Sequence, residues 1–150
     1  MDTKQNLYVR IIALVLIAIL VMPLNAFATS NAPSPRASDY LDSYNAYPYN
    51  AALGKIRIYF HVTGVHYMDE IGTLSIKIYE STDNENWTWV ETYKHNTTEG
   101  MLDYNKVYHS GYVTYPGTIG RYYKAYVCIW AGENDDGDTR YFWTSAKKAT

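Results

Sequence analysis

The chain has 150 residues, 47% of them hydrophobic, with 13 Lys and Arg against 15 Asp and Glu and a formal net charge of −2. That balance leaves no basic footprint for nucleic acid or an anionic membrane surface, and the lone Cys128 excludes an internal disulfide. Its 17 tyrosines and 4 tryptophans exceed what ordinary composition asks for: a core needs some of them, and aromatic side chains also make contact surfaces at low entropy cost.

Residues 1–28 read as a secretory signal. Lys4 and Arg10 form a positive flank, and Ile11 to Met22 is an uninterrupted apolar run of 12 residues. Pro23 breaks that run, and Ala26 and Ala28 occupy the minus three and minus one positions of a cleavage site. The run falls short of the about 20 apolar residues of a membrane-spanning helix; the rival reading is an uncleaved anchor extending through Phe27. Cleavage after Ala28 would leave 122 residues with 11 bases and 14 acids, a secreted chain with no membrane attachment and enough length for one domain. A chain of that size buries about two-thirds of its unfolded surface and needs no covalent staple.

Residues 29–38 (TSNAPSPRAS, with Ser38 last) are small, polar and proline-bearing, the composition of a flexible leader. From Asp39 to Thr150 the dominant signal is alternation. SDYLDSYNAYPY reads as a first edge strand broken by Pro48. In GKIRIYFHVTG, Ile56, Ile58, Phe60 and Val62 share one face while Arg57, Tyr59 and His61 share the other. TLSIKIYES repeats the pattern with Leu74, Ile76 and Ile78. STDNEN is a polar turn in which Asp83 and Asn84 can bond their own backbone, and WTWVETY is the strand that follows it. HNTTEGMLDYNK is irregular, with Gly100 as a turn. KVYHSGYVTY, RYYKAYVCIWA and TRYFWTSA are three more strands, separated by PGTIG and by the turn GENDDGD. About seven short strands with turns roughly every ten residues predict an all-β antiparallel sandwich.

RYYKAYVCIWAG admits two registers. Burying Tyr122, Lys124, Tyr126, Cys128 and Trp130 would put an unpaired ammonium in the core, which is costly. The other register buries Tyr123, Ala125, Val127, Ile129 and Ala131 and is preferred.

YxAxVxIxA, preceded by PGTIG, resembles the penultimate strand of fibronectin type III and related immunoglobulin-like domains, with Tyr123 at the position of the tyrosine that anchors the strand's corner. IKIYESTDNENWTWV resembles the hairpin of bacterial members. The resemblance spans about Asp39 to Thr150 and implies an immunoglobulin-like sandwich, although the paired cysteines and tryptophan spacing of true immunoglobulin domains are missing. From signal to YFWTSAKKAT the chain also resembles small secreted tyrosine-rich proteins of Gram-positive bacteria, a family that supplies no functional residues to carry over.

In the preferred register Tyr122, Lys124, Tyr126, Cys128 and Trp130 face outward. Burial of Phe142 in the next strand would add Tyr141 and Trp143 to that face, and Lys77 and Tyr79 could extend it. An exposed aromatic patch of this extent marks a contact surface. Flat rings suit sugar faces, while tyrosine hydroxyls and Lys124 supply polar contacts. The candidate ligand-binding residues are therefore Tyr122, Lys124, Tyr126, Trp130, Tyr141 and Trp143, for a polysaccharide or a protein at the cell surface; the bland alternative is that the tyrosines merely cover a small sheet.

Catalysis has little to stand on. A Cys/His enzyme would need Cys128 beside His61, His66, His95 or His109 with a third orienting group, and no spacing marks such a set; the histidines read as ordinary surface residues. His66, Asp69 and Glu70 lack a helix to give them ligand geometry. ENDDGD is oxygen-rich, but counting back from Gly137 puts Gly132 where a calcium loop's first aspartate belongs. The expectation is a secreted, non-enzymatic binding module with no cofactor and no catalytic or metal residues, its oligomeric state open. A structural or self-associating surface protein and a small secreted hydrolase are the alternatives.

Overall fold

A computed structural model describes residues 38–150, every regular element of which is a β-strand. The signal segment 1–28 and most of the leader lie outside the described residues. The strands are β1 (Leu41–Asn50), β2 (Ile56–Ser81), β3 (Thr88–Lys94), β4 (Leu102–Tyr115), β5 (Tyr122–Glu133), β6 (Asp136–Trp143) and β7 (Lys147–Lys148). All pairings are antiparallel, in the order β1–β2–β5–β6, with β3 and β4 also on β2 and β7 on β5.

Two stretches expected as separate strands, GKIRIYFHVTG and TLSIKIYES, are one strand of 26 residues. Its first part pairs with β1 on one side and the end of β4 on the other. Its last part pairs with β5 and β3. The register shifts between Thr63 and Met68, where Val65 and Tyr67 bulge into solvent, and again between Thr73 and Ser75. The even positions stay buried through Met68, the odd positions Ile71 and Thr73 take over, and the shift after Thr73 restores the even ones. Ile56, Ile58, Phe60 and Val62 are buried, then Ile71 and Thr73, then Ile76 and Ile78. A three-strand layer (β1, early β2, β4) and a four-strand layer (β3, late β2, β5, β6), to which the two-residue β7 adds along β5, thus share one strand. Their inward faces meet in a single hydrophobic cluster, which makes the architecture sandwich-like.

The core holds Phe60, Met68, Met101, Val113, Tyr123, Val127 and Ile129, all at most 3% exposed. Each such large apolar side chain contributes about 1.5–3 kcal/mol by leaving water. On β5, Tyr123, Ala125, Val127, Ile129 and Ala131 are 0% exposed, the inward set that the cost of burying Lys124 selects. Pro48 does not break β1; it is buried, lies opposite Ile58 and stays inside the strand. An edge strand tolerates proline because one side of its ladder needs no N–H. His109 is no surface histidine: its side chain is 11% exposed, packs on Phe60 and bonds the Gly100 carbonyl at 2.9 Å.

The turns follow their residues. Asn134 and Asp135 both have positive φ (51° and 63°), closing the β5–β6 hairpin in two residues. In the Ser81–Asn86 turn the Asp83 carboxylate accepts the Glu85 and Asn86 N–H groups at 2.9 and 2.8 Å, and Asn84 takes φ 65°.

Candidate functional site

The outward face of the four-strand layer is set by the β5 register. Tyr79 lies opposite Lys124, and Lys77, Tyr126 and Trp143 form the next cross-strand row. Ser75, Cys128 and Tyr141 form the row after that. Neighbouring strands are about 4.8 Å apart, so residues in one row touch. Tyr126 stacks on Tyr141 (centroids 6.0 Å, 19°) and leans on Trp143 at 5.0 Å; Tyr79 meets Trp143 edge-on at 4.9 Å. The Lys124 Nζ sits 4.2 Å from the Trp87 ring centroid and 4.6 Å from that of Trp143. This cation between two indoles holds the centre of the patch in place. Tyr141 and Trp143 remain 60% and 48% exposed, while Phe142 packs inward against the core and Tyr44.

Lys124, Tyr126, Tyr141 and Trp143 therefore form one connected cluster, joined by Tyr79 and Trp87. Tyr122 and Trp130 lie at its two ends. The Tyr122 ring carries the Lys148 ammonium at 5.3 Å, brought there by the β5–β7 pairing. Trp130 lies over the register pair Gly132 and Gly137, where an added Cβ would come within 2.5 and 2.6 Å of its indole. Its Nε1 is buried without a partner. The GENDDGD spacing, with a glycine at each end of the hairpin, is the sequence signal for this seat. Trp87, read from sequence as the first residue of the following strand and not as a site residue, precedes β3, and the Ser81–Asn86 turn brings it beside Lys124.

Cys128 faces the same side but is 5% exposed. Burial pushes its thiol up, against an opposing pull from the Tyr141 hydroxyl, so it is a quiet filler beneath the rings. Beyond Trp130 a cleft of about 210 Å³ is lined by Asp69, Glu70, Glu133, Asp135 and Asp136. Several of these acids already have partners: Asp69 accepts the Asn134 N–H (2.9 Å), Glu133 meets His66 (3.2 Å) and Asp136 accepts from Tyr40 (3.1 Å). Among the described residues no group of three or more His, Cys, Asp and Glu side chains has metal-holding geometry.

The three-strand layer carries an aromatic face that the sequence reading passed over. Tyr47, Tyr59 and Tyr112 form one cross-strand row, and Tyr49, Arg57 and Thr114 the adjacent one. Tyr59 stacks on Tyr47 (5.7 Å, 15°), meets Tyr49 edge-on at 6.0 Å and leans on Tyr112 at 5.2 Å. The Arg57 guanidinium lies 4.7 Å from the Tyr112 centroid. The signal was present in the outward parity of IRIYFHV, and it needed the β4 register to bring Tyr112 alongside.

No protein family, no curated protein and no solved structure matches the chain.

Proposed function

We propose that the chain is a secreted, non-enzymatic binding module with an immunoglobulin-like sandwich of the fibronectin type III kind. It holds a cell-wall or extracellular polysaccharide on the outer face of its four-strand layer. Two features support the fold reading. Apart from the two-residue β7, the layers contain three and four strands, and in chain order the three-strand layer takes the first, the early second and the fourth. The Tyr123 hydroxyl also accepts the Thr118 N–H five residues upstream at 2.8 Å, the contact of a tyrosine corner. Secretion rests on the apolar run Ile11 to Met22 and the small residues Ala26 and Ala28.

The observation that carries the binding reading is the Lys124 ammonium between Trp87 and Trp143, with Tyr126 and Tyr141 continuing the same surface. A sugar ring has apolar C–H faces and a hydroxyl rim. Rigid rings stack on the faces at low entropy cost, and Lys124 with the tyrosine hydroxyls meets the rim. The test is co-sedimentation of the purified protein with isolated cell walls and insoluble neutral polysaccharides, beside a folded Tyr126→Ala, Trp143→Ala variant. Retention of the parent alone supports the reading. Equal behaviour of the two sinks it and turns attention to self-association.

A further inference from the structure

The outer face of the three-strand layer holds an arginine where the first face holds Lys124. Arg57 is its cation; Tyr49 shares its row, and the adjacent row supplies Tyr47, Tyr59 and Tyr112. The next row along, Asn45, His61 and Ser110, adds no acid. A chain with 15 acids thus keeps them out of the neighbourhood of this arginine.

Arg121 and Arg140 show the usual alternative: they pair with Glu80 at 2.9 Å and with Asp138 at 3.3 Å. Arg57 has no carboxylate within ion-pair distance among the described residues. Its guanidinium is nonetheless held, by the Tyr112 ring and by donation from Nη1 to the Tyr59 hydroxyl at 3.4 Å. Its Nε is buried and has no hydrogen-bond partner. A planar cation fixed among exposed rings and left without a counter-ion is prepared for a planar anion.

We infer that this face is a second binding surface, specific for a carboxylate-bearing polysaccharide: Arg57 takes a uronate carboxylate while Tyr47, Tyr59 and Tyr112 stack on the sugar rings. A neutral glycan's hydroxyls can accept from the guanidinium but leave its charge uncompensated, whereas a carboxylate makes the stronger charge-assisted, bidentate pair. A nucleic acid asks for many cations along its backbone and finds one here. The chain's net negative charge repels polyanions in general, so any affinity for one must come from a local surface such as this. The inference stands apart from the polysaccharide reading of the opposite face, and either can fail alone.

The experiment is affinity electrophoresis in native gels containing polygalacturonate or its methyl ester, with folding of each variant checked by circular dichroism. The protein should be retarded by the free acid and not by the ester, less so at high salt. Arg57→Ala should weaken the apparent Kd about tenfold or more, the scale of a hydrogen bond to a charged group. Arg57→Lys, which keeps the charge and loses the fork, should fall between, and Tyr67→Ala, an exposed ring in the β2 bulge outside both faces, should match the parent. Tyr59→Ala is the second variant should Arg57→Ala fail to fold. No retardation, equal retardation by acid and ester, or loss in Trp143→Ala on the opposite face but not in Arg57→Ala would each overturn the inference. So would a dimer in sedimentation that Arg57→Ala dissociates, which would assign the face to a second copy of the chain.

Discussion

The Tyr123 hydroxyl donates to the carboxylate of Glu80, its register partner across the β2–β5 ladder. The same oxygen accepts the Thr118 N–H, and Arg121 closes on Glu80 from the rim. One phenol thereby ties the core, the β4–β5 link and the late part of β2 together. Tyr123→Phe would leave the Thr118 N–H and one Glu80 oxygen without their partner. The expected loss is about 1–3 kcal/mol, read as a lower urea midpoint with an unchanged slope.

Burial, then the Glu80 contact, raises the Tyr123 phenol above its ordinary value, and burial raises those of Tyr93 and Tyr115. A raised folded-state value means that the stabilisation is complete below about pH 10, the unfolded value. It is lost as pH climbs through the higher folded values. A titration of phenolate absorbance should show a late-ionising subset, and stability should fall across that same alkaline range. A fall in stability completed below pH 9 would contradict this assignment.

Asp83 behaves in the opposite sense. Hydrogen bonds from Asn86, Glu85 and Ser81 hold its carboxyl well below the usual carboxylate range. Its contribution is therefore full above about pH 4 and drains away as pH falls through the depressed folded value. Asp83→Asn should lower the melting temperature at neutral pH, and the gap to the parent should close in acid. A gap independent of pH would show that turn geometry, not charge, sets the effect.

Gly72 lies in late β2 with φ 147°, and a Cβ there would stand 2.2 Å from the Met101 carbonyl oxygen. Gly72→Ala should cost at least about 3 kcal/mol, since backbone of two strands must separate. Gly100, at φ 77° with open space around it, is the control. Gly100→Ala should cost about 1–2 kcal/mol from conformation alone.

Cys128 provides a probe of the outer face of β5. Lying 5% exposed with a thiol pushed up by burial, it should resist alkylation in the folded protein and react as the chain unfolds. Cys128→Ser would place a hydroxyl in the same dry spot at about 1–3 kcal/mol. Rapid labelling of the native protein would mean that the rings above it open freely.

The parity of β5 could be read from sequence because one residue, Lys124, made the wrong register expensive. The Asp83 turn was equally readable, since its donors are local. The continuity of β2 was not. Between Val62 and Ile71 the two-residue alternation loses phase, and a bulge that redirects a strand looks, in one dimension, like the loop that would end it. Cross-strand neighbours were hidden for a similar reason. Trp87 meets Lys124, and Tyr112 meets Tyr59, only in the folded chain, so the first face was legible save for Trp87, whereas the second was invisible without the pairings.

A single strand that hydrogen-bonds to β1, β3, β4 and β5 leaves no seam along which one layer could open while the other stays closed. Amide exchange should therefore find one cooperative unit, with Ile58 and Ile76 released by the same global event. The bends at Ala51–Lys55 and Ser81–Asn86, not the middle of β2, are where the chain should tolerate a protease cut or an inserted peptide.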